Sequence, residues 1–346
     1  MTTPVSEYMP QGPAECASPH RWWRAALGCI VLLFGSGVAA WTASPQAAMD
    51  SALQTGPAGT MRETAISSDG TKLSYIRWPA SPTGYSPTSV IVLHGIGYHA
   101  EPYKVVADGL NRDGIDVYAV DARGHGRSAG ERGYVPAPLQ VRSDIDAVIS
   151  AIKSKAPDTR IFLIGDSMGS AFALAYLTGA PSRVSGAVLL ALPLNIRKSQ
   201  LFRSTTPKIL VQGLMQPDAG VVSLVDSRLE ESSRSKEFVA QRRNDPLAYK
   251  SVSAHYLLGI HRLTRGWESS ARKITLPLLA MQGSEDPIAE LSSTKRFFAL
   301  AGSSDKELVI LQGVPHTLLW DPETPRILEK IGSWLKQRSG QSTTLR

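Results

Sequence analysis

The stretch from Arg160 to about Gly179 constrains the fold more than any other part of the chain. An apolar run, Arg160–Ile164, enters Gly165-Asp166-Ser167-Met168-Gly169 and continues as a second apolar run of helical length. A strand that turns into a helix through G-x-S-x-G makes a bend so tight that only small residues fit beside the serine. Gly165 and Gly169 supply that room. The bend lifts the Ser167 hydroxyl above the sheet edge, and the helix N-terminus behind it favours developing negative charge. A capping serine in a glycine-rich turn is the plainer reading of the same string. The strand–turn–helix context favours a nucleophile instead.

Around this unit, strand and helix patterns alternate from Met61 onward. Thr64–Ser67 and Lys72–Arg77 flank Asp69-Gly70, a hairpin signal. Strands are expected at Ser89–Leu93, Ile115–Val120, Arg160–Ile164, Val184–Leu190, Leu276–Gln282 and Glu307–Leu311. Helices are expected at 102–112, 139–154, near Ala289–Leu300 and at Thr324–Lys336. The 139–154 helix should turn Leu139, Ile145, Val148, Ile149 and Ile152 toward the core. Such alternation implies an α/β fold with a mostly parallel central sheet flanked by helices. Residues 195–265 interrupt it with a helix-rich stretch bearing Leu201, Phe202, Leu214 and Val222, expected to form a helical lid. The expected organisation is a segment 1–60 followed by one catalytic domain, 61–346, with the lid at about 195–265.

A serine hydroxyl is a poor nucleophile without a base. Where the serine sits on such an elbow, the acid and then the histidine follow it in chain order. Asp286, in Gly283-Ser284-Glu285-Asp286-Pro287, follows the penultimate strand, and His316, in Val314-Pro315-His316, follows the last. Both leave the sheet at the edge where Ser167 sits. Glu285 is the rival acid, but Asp286 has the more usual position in the turn. His94, His99 and His125 precede the nucleophile, His255 and His261 belong to the lid, and His20 lies in the N-terminal segment. A tetrahedral intermediate also needs two N–H donors. The backbone N–H of Met168 is one candidate. The other is that of Ile96, in His94-Gly95-Ile96-Gly97 after the Ser89–Leu93 strand.

With these pieces in place, the chain resembles the monoacylglycerol lipase and lysophospholipase branch of the α/β-hydrolases, a serine aminopeptidase S33-type group. The resemblance rests on LHGIG at 93–97, DARGHGRSAGERGYV at 121–135, GDSMGS at 165–170, NDPL at 244–247, GSEDP at 283–287 and PHTLLWD at 315–321. It spans the chain from roughly Asp69 to the final helix. It implies a helical lid and hydrolysis of an ester with one acyl chain. Two departures stand out: Asp166 occupies a position where the lipases often carry His, and Ser170 replaces a common Gly.

Composition removes other classes. The two cysteines, Cys16 and Cys29, lie before the catalytic domain, so neither a disulfide framework nor a cysteine nucleophile is expected there. No Cys/His cluster has zinc spacing and no phosphate-binding G-x-x-x-x-G-K-[ST] run occurs. No metal or organic cofactor is expected. Net charge is +7, and residues 195–265 hold twelve Lys/Arg against six Asp/Glu. No nucleic-acid motif accompanies this charge, so it reads as a solvated basic face and not as a nucleic-acid site. Arg21 and Arg24 precede an uncharged, mostly apolar run from Ala25 to about Ala43, the pattern of an export signal or a membrane anchor. Val38-Ala39-Ala40 suits cleavage and the polar lead before Arg21 suits an anchor. Either places the catalytic domain outside the cytoplasm, and the anchor would add membrane association. Residues 44–60 read as a linker.

The reaction expected is hydrolysis of a carboxylic ester, of monoacylglycerol or lysophospholipid type, through an acyl-enzyme on Ser167. A peptidase, an amidase or an acyltransferase would use the same three residues. A haloalkane dehalogenase or epoxide hydrolase would need an aspartate where Ser167 stands. A non-catalytic receptor would have lost one of the three, and all are present.

Overall fold

The computed structural model describes residues 60–81, 84–179, 183–195, 211 and 215–340. The expected export or anchor segment lies outside them, as do Leu201, Phe202 and Leu214 of the lid. Among the described residues no helix is long and apolar enough to cross a membrane.

The frame is an eight-stranded sheet. In chain order its strands are β1 (Met61–Ile66), β2 (Lys72–Trp78), β3 (Thr88–Leu93), β4 (Asp116–Val120), β5 (Arg160–Asp166) and β6 (Gly186–Leu190), then β9 (Leu278–Gly283) and β10 (Lys306–Leu311). Their spatial order is β1-β2-β4-β3-β5-β6-β9-β10. β2 runs antiparallel to both β1 and β4, and the remaining pairs are parallel. β3 shows why these strands read as unbroken apolar runs. Val90 and Val92 join the core on one face of the sheet and Ile91 and Leu93 the core on the other. A strand covered on both faces has no polar side to alternate with.

Helices cover the two faces. α1 (Lys104–Leu110), α2 (Pro138–Lys155) and α3 (Met168–Leu177) follow β3, β4 and β5 in turn. In α2 the buried residues are Val141, Ile145, Val148, Ile149 and Ile152. Leu139 was expected on that face and is 70% exposed. At about 100° per residue it stands about 200° around the helix from Val141, off the apolar stripe.

The insertion holds helices α4 (Ser227–Glu231), α5 (Lys236–Asn244) and α6 (Ala254–Thr264), as its composition implied. It also holds a feature not expected, a two-stranded antiparallel ribbon of β7 (Gly220–Ser223) and β8 (Ser251–Ser253). Strands of three and four residues built on Gly, Ser and Val are too short to show a period of two. α7 (Trp267–Lys273) leads back to β9, α8 (Leu291–Leu300) joins β9 to β10, and α9 (Thr324–Ser339) closes the domain.

From β3 the chain moves one way to β4 and then crosses to the other side for β5. Crevices at the carboxyl ends of strands flanking such a reversal are where open α/β sheets place their ligands.

Candidate active site

Ser167 follows β5 and caps the N-terminus of α3 with φ 50° and ψ −111°. It is one of two non-glycine residues with positive φ among those described. The bend is enforced by crowding: a Cβ at Gly169 would stand 1.9 Å from the carbonyl oxygen of Leu93, the last residue of neighbouring β3. The elbow thereby packs directly against the strand whose loop carries Ile96. A bond from the Ser167 N–H to Leu190 O (2.9 Å) ties it to β6 on the other side.

β9 and β10 end in register, Gly283 opposite Leu311, and deliver the other two residues. His316 Nε2 lies 2.8 Å from Ser167 Oγ and its Nδ1 2.7 Å from Asp286 Oδ2. The rest of the Asp286 carboxylate is held by the turn itself. Its Oδ1 accepts from the N–H groups of Ile288 (2.8 Å) and Ala289 (2.9 Å). Asp286 and His316 are both buried. Burial alone would push the His316 pKa down. The attraction and hydrogen bond of Asp286, with a further pull from Asp166, outweigh it and hold the pKa above the ordinary 6.5. Asp286 thus fixes one tautomer: Nδ1–H donates to the carboxylate and Nε2 faces the hydroxyl. The rival acid, Glu285, makes no bond to the imidazole.

Burial pushes His94 and His125 down to about 3, so both are neutral. His94 Nδ1–H donates to Gly95 O (2.8 Å) and its Nε2 accepts from the Ala122 N–H (3.0 Å). His125 Nδ1–H donates to Arg123 O (3.0 Å) and its Nε2 accepts from the Tyr256 hydroxyl (2.7 Å). Both rings brace the loops around the site, and neither is hydrogen-bonded to Ser167.

The N–H groups of Ile96 and Met168 donate to no acceptor among the described residues. Two features here escaped the sequence reading. Burial raises the Asp166 carboxyl pKa. The same carboxylate accepts from the Tyr103 hydroxyl (2.6 Å), whose oxygen accepts from the Gly95 N–H (2.8 Å). Second, Arg242 of α5 reaches Ile96 O at 2.6 Å. Its spacing carried a signal: Phe238, Val239 and Arg242 form the buried stripe of α5, so an arginine lies on an apolar face. Among the described residues, no three His, Cys, Asp or Glu side chains form a group able to hold a metal.

The family described as serine aminopeptidase, S33, matches residues 86–323, a span that takes in Ser167, Asp286, His316, Ile96 and Met168. The chain belongs to this family of hydrolases. Human monoglyceride lipase is 31% identical over 285 residues, covering 81% of this chain and 91% of that one. The monoacylglycerol lipase of Mycolicibacterium smegmatis is 26% identical over 272 residues, covering 77% and 93%. Among solved structures, a soluble variant of the monoglyceride lipase of Saccharomyces cerevisiae, in complex with a substrate analogue, superimposes with a TM-score of 0.69 at 19% identity. It covers 83% of this chain and 97% of that one. At that identity the likeness speaks for the α/β-hydrolase fold alone.

Proposed function

We propose that this S33 hydrolase cleaves carboxylic esters of monoacylglycerol-like lipids through an acyl-enzyme on Ser167. The observation that carries the reading is the unbroken chain Ser167–His316–Asp286, at 2.8 and 2.7 Å, in a relative of monoglyceride lipases. His316 Nε2 takes the proton of Ser167 as Oγ attacks the ester carbonyl carbon. The negative charge moves to the carbonyl oxygen, where the N–H groups of Ile96 and Met168 receive it. Asp286 stabilises the imidazolium by its charge and its bond to Nδ1. Collapse of the intermediate breaks the ester bond, and His316 returns the proton to the departing alcohol. Water, deprotonated by the same histidine, then releases the fatty acid.

An amide substrate would use the same steps with an amine as leaving group, and the family description includes aminopeptidases. The named lipase relatives favour the ester. The deciding experiment presents purified protein with monoacylglycerols of graded acyl length, simple esters and aminoacyl amides, with Ser167→Ala as control. A Ser167-dependent rate on the esters supports the reading. A rate confined to the amides replaces it with a peptidase.

The domain is further proposed to act outside the cytoplasm, led there by Arg21, Arg24 and the apolar run from Ala25 to about Ala43. Fractionation of expressing cells tests this, and recovery of all activity in the cytoplasmic fraction refutes it.

A further inference from the structure

The loop that carries Ile96 is held from the lid side. The backbone groups of residues 95–97 can be followed one by one. The Gly95 N–H donates to Tyr103 Oη (2.8 Å), and Gly95 O, which shares its peptide plane with the Ile96 N–H, accepts from the Tyr98 N–H (3.2 Å) and from His94 Nδ1–H (2.8 Å). Ile96 O accepts from Arg242 Nη2 (2.6 Å). The Gly97 N–H points to Tyr256 Oη of α6 (3.4 Å), and Gly97 O accepts from the Tyr249 N–H (2.8 Å), just ahead of β8. The one group without a protein partner among the described residues is the N–H of Ile96. Three of the six bonds come from the insertion. A fourth tie lies just beyond, where Asp245 Oδ2 meets His99 Nε2 at 2.7 Å.

Arg242 is the unusual member. It is only 5% exposed, yet no carboxylate pairs with it among the described residues. Its guanidinium lies 4.5 Å over the Tyr98 ring and gives its one hydrogen bond among the described residues to Ile96 O. A guanidinium taken so far out of water costs free energy unless its bonds repay it. Here the repayment goes to a single backbone carbonyl, bonded to the same Cα as the free N–H.

We propose that Arg242 is a positioning residue for the oxyanion hole, fixing the rotation of the Ile96 backbone so that its N–H faces the carbonyl attacked by Ser167. The lid is thereby part of the catalytic apparatus as well as a cover. This rests on the role of Ile96 assigned under the proposed function. The Arg242 guanidinium makes no hydrogen bond to Ser167, and a residue that only positions the Ile96 N–H acts on the transition state and leaves ground-state binding alone. A small misplacement of a reacting group costs up to about 100-fold in rate.

The test compares the wild-type chain with Arg242→Met and Arg242→Lys, with rates expressed per active site titrated by a fluorophosphonate. Arg242→Met is expected to lower kcat roughly 10- to 100-fold while KM moves less than about 3-fold. Affinity for an alkylboronic acid, a tetrahedral mimic, should fall in parallel with kcat. Lysine can still donate to Ile96 O, so Arg242→Lys should recover most of the loss. Arg242→Gln, polar but too short to reach Ile96 O, is expected to show the same loss as methionine and carries the test if the methionine variant fails to fold. The acid limb of the pH profile, set by His316, should not move. A raised KM with kcat unchanged in either variant overturns the proposal and makes Arg242 a substrate contact. Unchanged kinetics and boronate affinity in Arg242→Met overturn it outright. A chain that hydrolyses nothing even with Arg242 intact refutes the ester-hydrolase reading beneath it.

Discussion

Ser167 combines two demands that conflict. Its hydroxyl must stand clear of the sheet, and the backbone that presents it sits at φ 50°, a region that costs a residue with a Cβ about 1–3 kcal/mol. Glycine relieves that cost and alanine does not. Ser167→Gly is therefore expected to be more stable than Ser167→Ala by about 1 kcal/mol, although both are inactive; urea titration of the two proteins measures the difference. At His316 the expected observable is a pH profile. Only the neutral imidazole can accept the serine proton, and burial is outweighed by Asp286 so that the pKa lies above 6.5. The rate kcat/KM should climb with pH through a midpoint above 6.5. Asp166 adds to this by its charge, so Asp166→Asn should shift the midpoint to lower pH; a midpoint that stays put would mean the Asp166 carboxyl is already neutral. Asp166 was visible in the sequence only as a departure from the lipase pattern. Its partner, Tyr103, lies 63 residues earlier, a distance that no local pattern spans.

Turns and buried pairs show what an element must supply. Gly283 ends β9, and a Cβ there would stand 2.0 Å from Val314 O and 2.3 Å from Pro315 O. The turn bearing Asp286 and the loop bearing His316 are pressed together backbone to backbone. Gly283→Ala should force them apart, lowering kcat at least tenfold and costing about 1–3 kcal/mol in stability, read from activity and thermal melts. Away from the site, Arg77 of β2 and Asp116 of β4 form a buried pair at 2.8 Å. Asp116 also accepts from the Ala80 N–H at 2.8 Å. Asp116→Ala leaves a buried guanidinium without its carboxylate and should cost about 3–5 kcal/mol, with the rate per folded molecule unchanged. The long elements were legible because their apolar periodicity is sustained. Leu139 misled because one apolar residue in the first turn of α2 carries no information about phase. The β7–β8 ribbon was illegible because it is held by pairing across the insertion and by no pattern within either strand.

At the scale of the molecule, the convergence of Ser167, Asp286 and His316 was legible for a reason that belongs to the fold. Strand ends are cheap to recognise, and this topology brings the ends of β3, β5, β9 and β10 to one side of the sheet, so local motifs at 94–97, 165–169, 283–287 and 315–316 converge. What the lid adds could not be read that way. Arg242 lies 146 residues from Ile96, and only the folded chain shows that an arginine on an apolar stripe faces a carbonyl.

The same topology sets a timetable. Ser167 is made 149 residues before His316. Until β10 docks and carries the histidine into place, the serine is an ordinary alcohol with no base to sharpen it. A ribosome making this chain therefore holds a reagent that cannot react with the lipids around it, because the last strand of the sheet to be synthesised also arms the enzyme. Stalled chains ending before β10 should resist fluorophosphonate labelling, and chains extended past α9 and clear of the exit tunnel should label at the rate of the finished protein.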